Sequence, residues 1–581
     1  MAQGARTLAS TVPTAPTPAE HAHGAGMGDG NQHPMIAGLR AQLAAGCLAR
    51  RDFLRLATLL GVSAASAASM AGIAAAQRAE AGVRGRGGRL VLGAQVQPLN
   101  DPHALAWLAP ANIVHQVCEP LTRTGFDNIT RPHLLRGWRA APDLKAWDLY
   151  LRDDVTWRSG RRFVADDVVW NLRRLLDPAT GSSALGLMRG YMLADKMQSG
   201  QQGTVAVPRL WDAGAIEKVD DFHVRLNLKS PQVAVPEHLF HYTNVMMDPE
   251  EGGRFGVGSN GTGAFSLEEY QVGARALLRA RSDAGAGGRH PLLDELLLLD
   301  LGDEGSAAAG ALVSGQVDGL VRCDYAVAEG LANHAELQVH HTRTAATAML
   351  QMKVDQRPFD DPRVRRALRL AVDVEAVTRL ALRGFGEPAE HHLVAPVHPC
   401  YVPLPPLRCN PQEARSLLAE AGYPGGLDLT ITCKSWPQWE LHAVEAMVEQ
   451  YAAAGIRCSI EMLPPAQFWE VWDKVPLAFV EWAPRPLGFM LLDLTMRSGV
   501  PWNATGFADP ELDALLDRVE AEVEVAARRP LMARIEAIMQ ERGPVVQPAW
   551  LSVVTVMSRR VGGFRLHPTT LLFAEDYFLM S

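Results

Sequence analysis

Apolar and polar positions along the chain resolve into short strands and amphipathic helices in turn. Arg89–Ala94, Trp147–Leu151, Leu427–Thr432, Ile456–Met462 and Leu477–Trp482 alternate or run apolar as strands do. Glu217–Leu228 reads as two strands joined at Asp220-Asp221, and Val545–Met557 as one longer strand. Helical spacing shows over Ala111–Cys118, Leu441–Ala454, Ala466–Lys474 and Ala165–Leu176, where Val168, Leu172 and Leu175 share one side. Asn410-Pro411-Gln412-Glu413 has the form of a capping box with proline at the first helical position, and its helix ends at Gly422. Asp509-Pro510 opens another helix in the same way.

One stretch, Gln351–Asp373, organises the rest. A strand over Ala348–Val354 runs into Asp361-Pro362, an N-cap acid followed by a first-turn proline. Val364, Ala367, Leu368 and Ala371 then fall on one helical face, with Arg363, Arg365, Arg366 and Arg369 on the others. Further on, Leu427–Thr432, the helix after it and Ile456–Met462 form a β-α-β unit, which implies parallel strands and a right-handed crossover. Open sheets of this kind bind ligands beyond the carboxyl ends of their strands. The loops Lys434-Ser435-Trp436-Pro437-Gln438-Trp439 and Ala483-Pro484-Arg485-Pro486-Leu487-Gly488 occupy such positions.

The first 76 residues follow different rules. Residues 1–49 are rich in Ala, Gly, Pro and His and read as a disordered leader, with Met27 and Met35 as alternative starts. Arg50-Arg51-Asp52-Phe53-Leu54-Arg55 is close to a twin-arginine export motif. A mildly apolar run from Leu56 ends in Ala74-Ala75-Ala76, a small-residue cleavage site. That run is too rich in Ala and Ser for a membrane span, and no lipid-accepting cysteine follows it. Removal of residues 1–76 leaves an exported, soluble product.

A length of 581 residues implies two or three domains, and a net charge of -8 gives no reason to expect a nucleic-acid partner. The seven cysteines form no C-x-x-C pair and suit buried thiols, with Cys400–Cys409 and Cys433–Cys458 as conceivable bridges in an oxidising compartment. G-x-S-x-G, H-E-x-x-H and the Walker P-loop are all missing. Gly256–Gly261 satisfies G-x-G-x-x-G, but no helical pattern follows it, so a dinucleotide site is rejected. His238 with His241, His340-His341 and His391-His392 could suggest metal, yet no third ligand is evident and ordinary histidines are the simpler reading. Asp166-Asp167 and Asp360-Asp361 suit helix starts, where the macrodipole favours acids.

Several of these segments, in this order, resemble the family 5 extracellular solute-binding proteins, the peptide- and nickel-binding receptors of ABC importers. They are Pro98–Pro102 with Glu119-Pro120-Leu121; Leu151-Arg152, Trp157, Gly160, Phe163 and Ala165–Val168; Gly261–Phe265; Ser314–Asp318; and Arg357–Pro362 with its basic helix. The resemblance implies a periplasmic binding protein type II-like α/β fold, two lobes with a hinge, the first carrying an extra subdomain. The first lobe takes 86–130, 217–343 and 545–581, the extra subdomain 131–216 and the second lobe 344–544. Hinge strands are expected near Thr344–Gln351 and Val545–Trp550, and the glycines of Gly261–Phe265 are expected to turn with positive φ.

By the same resemblance the protein is a monomer that binds a peptide or similar small solute in the periplasm and passes it to an ABC permease, with no cofactor, resident metal or catalytic residue. A nickel-chelate or opine receptor of the same fold, or an exported enzyme, are the alternatives. Peptide-binding relatives often carry an aspartate in the loop after the third strand. Here it reads Trp-Ala-Pro-Arg-Pro, closer to an Arg-Pro-bearing subgroup, and Arg485 offers a planar fork to an acidic group. Trp482, Trp502 and Asn503 are further candidate ligand contacts, with Trp436 and Lys434 behind them. A solvated loop charge for Arg485 and core packing for the tryptophans are the competing readings.

Overall fold

The computed structural model describes residues 35–44, 48, 50–60, 86–105, 108–200, 203–282, 290–302 and 305–580. The Ala74–Ala76 site, the apolar run past Leu60 and the leader before Met35 lie outside the described residues. Among the described residues, eleven strands make one large sheet. They are β1 (Arg89–Gly93), β2 (Phe265–Gln271), β3 (Arg275–Ala280), β4 (Glu295–Leu299), β5 (Gly319–Leu320), β6 (Leu337–Met352), β7 (Gly386–Pro388), β8 (Leu427–Lys434), β9 (Ile456–Leu463), β10 (Leu477–Trp482) and β11 (Val545–Ser558). The order is β2-β3-β4-β1-β5-β11-β6-β10-β8-β9, with β7 pairing β11 off this path.

Two parallel-cored halves therefore meet at a long antiparallel pair. On one side β1 runs parallel to β4 and β5, and on the other β8 runs parallel to β9 and β10. Strands β6 and β11 pair from Leu337↔Ser558 to Gln351↔Val545, and β6 continues onto β10 from Thr347↔Trp482 to Met352↔Leu477. The pattern of apolar residues finds only the end of β6 nearest Met352, because its other half, through His340 to Arg343, is part-exposed and mixes polar side chains. A separate four-stranded sheet (Leu135–Ala140, Ala146–Leu151, His223–Asn227, Ile216–Asp220) holds Trp138 and Trp147 at its core.

The helices of the described residues include α1 (Ile36–Ala44), α2 (Arg50–Leu59), α3 (Pro362–Leu370), α4 (Gln438–Ala453) and α5 (Val525–Arg542). Helix α4 is the crossover between β8 and β9. At the start of α3 the Asp361 carboxylate accepts from the Arg363 backbone N–H at 2.8 Å, and Val364, Ala367 and Leu368 are fully buried. The arginines divide differently from the helical-wheel reading. Arg365 and Arg369 are buried, since the C-terminal end of α5 docks on that side. Arg365 donates to the carbonyls of Phe359 (2.8 Å) and Arg542 (3.1 Å), and Arg369 to those of Gly543 and Glu541. Last-turn carbonyls of a helix lack partners of their own and carry partial negative charge, so two cations there are well placed.

Two further expectations are corrected, and the thiol reading of the cysteines stands. Gly261 and Gly263 do not have positive φ. They are glycines because a Cβ would meet the backbone oxygen of Val117 at 1.9 Å and of Gln116 at 2.3 Å. The six described cysteines are unbridged; Cys433 faces Met462 and Cys458 faces Leu429 along β8–β9, too far out of register to join. Finally, part of the leader read as disordered is helical. Ile36 and Leu39 in α1 are buried in the protein core; so are Phe53, Leu56 and Ala57 in α2, which lies on the twin-arginine-like motif and the start of the apolar run.

Candidate ligand-binding site

The loop leaving the carboxyl end of β10 carries Arg485 to a cavity of about 180 Å³. Facing segments that line it include Gly125–Asn128, Phe240–Tyr242, Thr342–Ala345 of β6 and His567–Thr569. The loop is held by His398. Its Nδ1 accepts from the Ala395 backbone N–H at 2.9 Å, which leaves the proton on Nε2 to donate to the Arg485 carbonyl at 3.0 Å. Burial pulls the His398 pKa down to about 3, so the ring stays neutral and this tautomer is fixed.

Arg485 itself is poorly engaged. Nη1 makes only long contacts to the carbonyls of Ala483 (3.4 Å) and Pro484 (3.3 Å), and Nε is buried without a partner. Burial lowers its pKa. A cation in this condition gains more from an incoming anion than a hydrated one does. Across the cavity Phe126 packs edge-on to His567 (5.2 Å) and Phe573 (5.7 Å), giving an apolar wall. His567 Nε2 lies 3.0 Å from the Thr124 carbonyl. His241 turns Nδ1 to the Thr243 hydroxyl at 2.9 Å and leaves Nε2 unpaired. Asp127 is already committed to Arg131 at 2.6 Å.

The other sequence candidates are placed elsewhere. Trp482 is 6% exposed and stands in a row of indoles, 5.7 Å from Trp472 and 5.9 Å from Trp502. Asn503 donates to the carbonyls of Arg497 (3.0 Å) and Phe507 (2.7 Å) and accepts from Thr505 (2.8 Å), which commits it to its own turn. Lys434 is buried, 2.8 Å from Glu440 and 4.9 Å above the Trp469 ring. Trp436, half-buried beside it, does not line the cavity either. Only Arg485 of the six reaches it.

Sequence reasoning missed Phe126, Glu237 and Tyr242, all of which line the cavity. For Glu237 a signal existed, an acid alone in the apolar run Val233–Phe240. The paired histidines take structural places: His238 bonds the Tyr191 hydroxyl at 2.7 Å, and His391 accepts from the Gln547 N–H at 3.0 Å. Among the described residues no three His, Cys, Asp or Glu side chains are grouped as a metal ion would require. None of their helices is long and apolar enough to cross a membrane.

A mixed α/β chain with two sheet halves joined by one long strand pair, and a cavity walled by segments far apart in sequence, has the architecture of a type II periplasmic binding protein. Comparison with known proteins agrees. Residues 130–494 match the model of the bacterial extracellular solute-binding proteins, family 5 Middle. The glutathione-binding protein GsiB of Pectobacterium atrosepticum is 24% identical over 383 residues, covering 62% of this chain and 73% of its own. Helicobacter pylori DppA, solved with the peptide STSA, superposes with a TM-score of 0.72 at 18% identity over 86% of this chain and 99% of its own. AgaA of A. tumefaciens R10, solved with agropinic acid, gives 0.73 at 21% identity over 85% and 99%. The chain belongs to the family 5 bacterial extracellular solute-binding proteins.

Proposed function

We propose that the protein captures a peptide or similar small solute in the periplasm and presents it to the permease of an ABC importer, with no bond made or broken. The observation that carries this reading is the half-buried, poorly engaged Arg485 guanidinium beside an apolar wall, in a cavity of about 180 Å³. Arg485 holds an acidic group of the solute, such as a peptide's terminal carboxylate, and Phe126 and Tyr242 cover its apolar parts. The solute-bound state closes by bending of β6 and β11 near Thr344–Gln351 and Val545–Trp550, which lets a permease distinguish loaded from empty receptor. The protein acts as a monomer, after export by the twin-arginine route and removal of residues 1–76. Kinship in fold with proteins solved with a peptide and with agropinic acid supports a solute of this size bearing carboxylates.

Mass spectrometry of small molecules released on denaturing the exported protein tests the reading, backed by a thermal-shift screen of di- and tripeptides, glutathione and opines. One such compound should copurify or raise the melting temperature, because a ligand bound only to the folded form stabilises it. A covalently altered product of any screened compound would overturn the reading.

A further inference from the structure

Outside the cavity lining, two segments far apart in sequence make a paired contact. Gln232 is fully buried just before the short helix Val235–His238. Its side-chain oxygen accepts from the Ala234 backbone N–H at 2.9 Å, and its own backbone N–H donates to the Leu144 carbonyl at 3.3 Å. The first of these bonds fixes which end of the amide is the donor. That end, Nε2, donates to Glu520 Oε1 at 2.8 Å, and the next residue, Val233, donates its backbone N–H to the Glu520 carbonyl at 2.9 Å. Glu520 ends the helix Pro510–Glu520, where last-turn carbonyls lack partners of their own, so Val233 supplies one. Glu520 Oε2 accepts from Arg497 at 2.9 Å, and Arg497 is fixed in turn by Asp493 at 2.7 Å and Asp517 at 2.6 Å. Asn503, which the sequence offers to the solute, instead donates to the Arg497 carbonyl at 3.0 Å.

In the two-lobe reading Gln232 and Val233 belong to the first lobe and Glu520 to the second; none of the three lines the cavity or lies on β6 or β11. Along the same seam the Asn128 amide donates to the Pro486 carbonyl at 3.1 Å, a carbonyl that also accepts from Arg55 of α2. The helix Ala184–Met192 brings Gly186 against Leu494 of the helix Gly488–Thr495, and these two helices carry Leu187 and Met490 to the cavity wall. We propose that Gln232, Val233 and Glu520 form a clasp that holds the two lobes together over the cavity. The inference rests on the two-lobe receptor reading above and deepens it, by naming the contact that biases closure. Gln232 and Glu520 are positioning residues. They touch no solute, and they favour the closed arrangement because both hydrogen bonds exist only while the lobes meet. A bond to a carboxyl group at a buried seam shifts that equilibrium about tenfold or more.

The test uses the protein as exported, with no solute added, and reads hydrogen exchange at the Val233 amide, whose acceptor lies across the seam. Gln232→Leu and Glu520→Ala remove the side-chain bond from opposite sides. Each should speed exchange at Val233 about tenfold or more and enlarge the radius of gyration in X-ray scattering. Amides of the β1–β4 and β8–β9 ladders, one inside each lobe, should exchange as before, which a general loss of stability would not allow. The two changes combined should add little to either alone, because both break the same bond. Glu520→Gln keeps an acceptor for Gln232 and should keep the unaltered rate. Since the two disruptive changes lie in different lobes, a folding defect in one leaves the other decisive. Unchanged exchange at Val233 in a folded variant, additive effects in the double variant, or ladder amides speeding by the same factor would overturn the proposal. A screen that finds no retained compound would overturn the receptor reading, and it leaves the measurement at the seam untouched.

Discussion

Gln547 of β11 donates its side-chain amide to the hydroxyl of Thr347 on β6 at 2.8 Å, a buried bond between the two strands that join the halves of the sheet. The same Gln547 accepts from the Leu393 N–H at 3.1 Å, and Thr347 donates onward to the Ala549 carbonyl at 2.7 Å. Both residues are fully buried. The crossing point is thus tied by side chains as well as by the ladder.

Replacing Gln547 by Leu strands the Leu393 N–H and removes the cross-strand tie. We expect a loss of about 1–3 kcal/mol, read from urea unfolding. The effect on solute affinity should be smaller than the effect on stability, because neither residue lines the cavity. An unchanged unfolding midpoint would show that the network contributes nothing.

Arg485→Ala separates binding from folding in the opposite sense. A charged hydrogen bond to the solute is worth roughly 1.5–3 kcal/mol, which converts to about a 10- to 150-fold weaker Kd. Stability should hardly change, since in the free protein Arg485 makes only long contacts to its own loop. Calorimetry with the copurifying solute gives the answer, and equal affinity would remove Arg485 from the site.

Lys434 tests the reverse case. Its removal in Lys434→Met leaves the fully buried Glu440 carboxylate unmatched, which typically costs about 3–5 kcal/mol. Burial already pushes the Glu440 pKa up to about 7, with Lys434 the largest influence opposing it. The companion change Glu440→Leu should restore most of the loss, while solute affinity stays put in both proteins. Weaker binding at unchanged stability would return Lys434 to the ligand.

Acid should weaken the fold well above the carboxylate range. Burial draws His103, His115 and His567 down to about 4 and His238, His391 and His398 to about 3. Between those values and the ordinary 6.5 the unfolded chain binds protons that the folded one refuses, so stability falls as pH falls through that window. Each ring contributes up to about 1.4 kcal/mol per pH unit. Glu440, and Glu536 raised by burial to about 9, act the other way, since the folded state keeps protons that the unfolded chain releases above 4.5. Burial lowers His133, His241 and His340 as well and raises further carboxylates, Glu237 and Glu520 among them, but the histidines set the sign between pH 6.5 and 5, where the unfolded rings take up their protons. Urea midpoints should drop between pH 6.5 and 5, and His103→Gln should flatten that slope; a midpoint rising with acid would contradict the balance.

The fold was legible wherever one local rule governed a segment. The Asp361-Pro362 cap, the β8–α4–β9 crossover and the carboxyl-end loop bearing Arg485 follow from spacing and turn chemistry alone. Tertiary docking decided the rest. Nothing local to α3 says that the end of α5 will cover Arg365 and Arg369. Asn503, Trp482 and Trp502 have the right composition for a binding surface, but their hydrogen bonds and ring contacts are spent inside one element cluster, and sequence does not encode where a side chain finds its partner. Glu237 was overlooked for the opposite reason, since an acid in an apolar run looks like an interruption until the cavity beside it is seen.

The Arg55 guanidinium set on the Pro486 carbonyl fastens α2 to the very loop that carries Arg485. Whatever loosens that helix therefore loosens the loop as well.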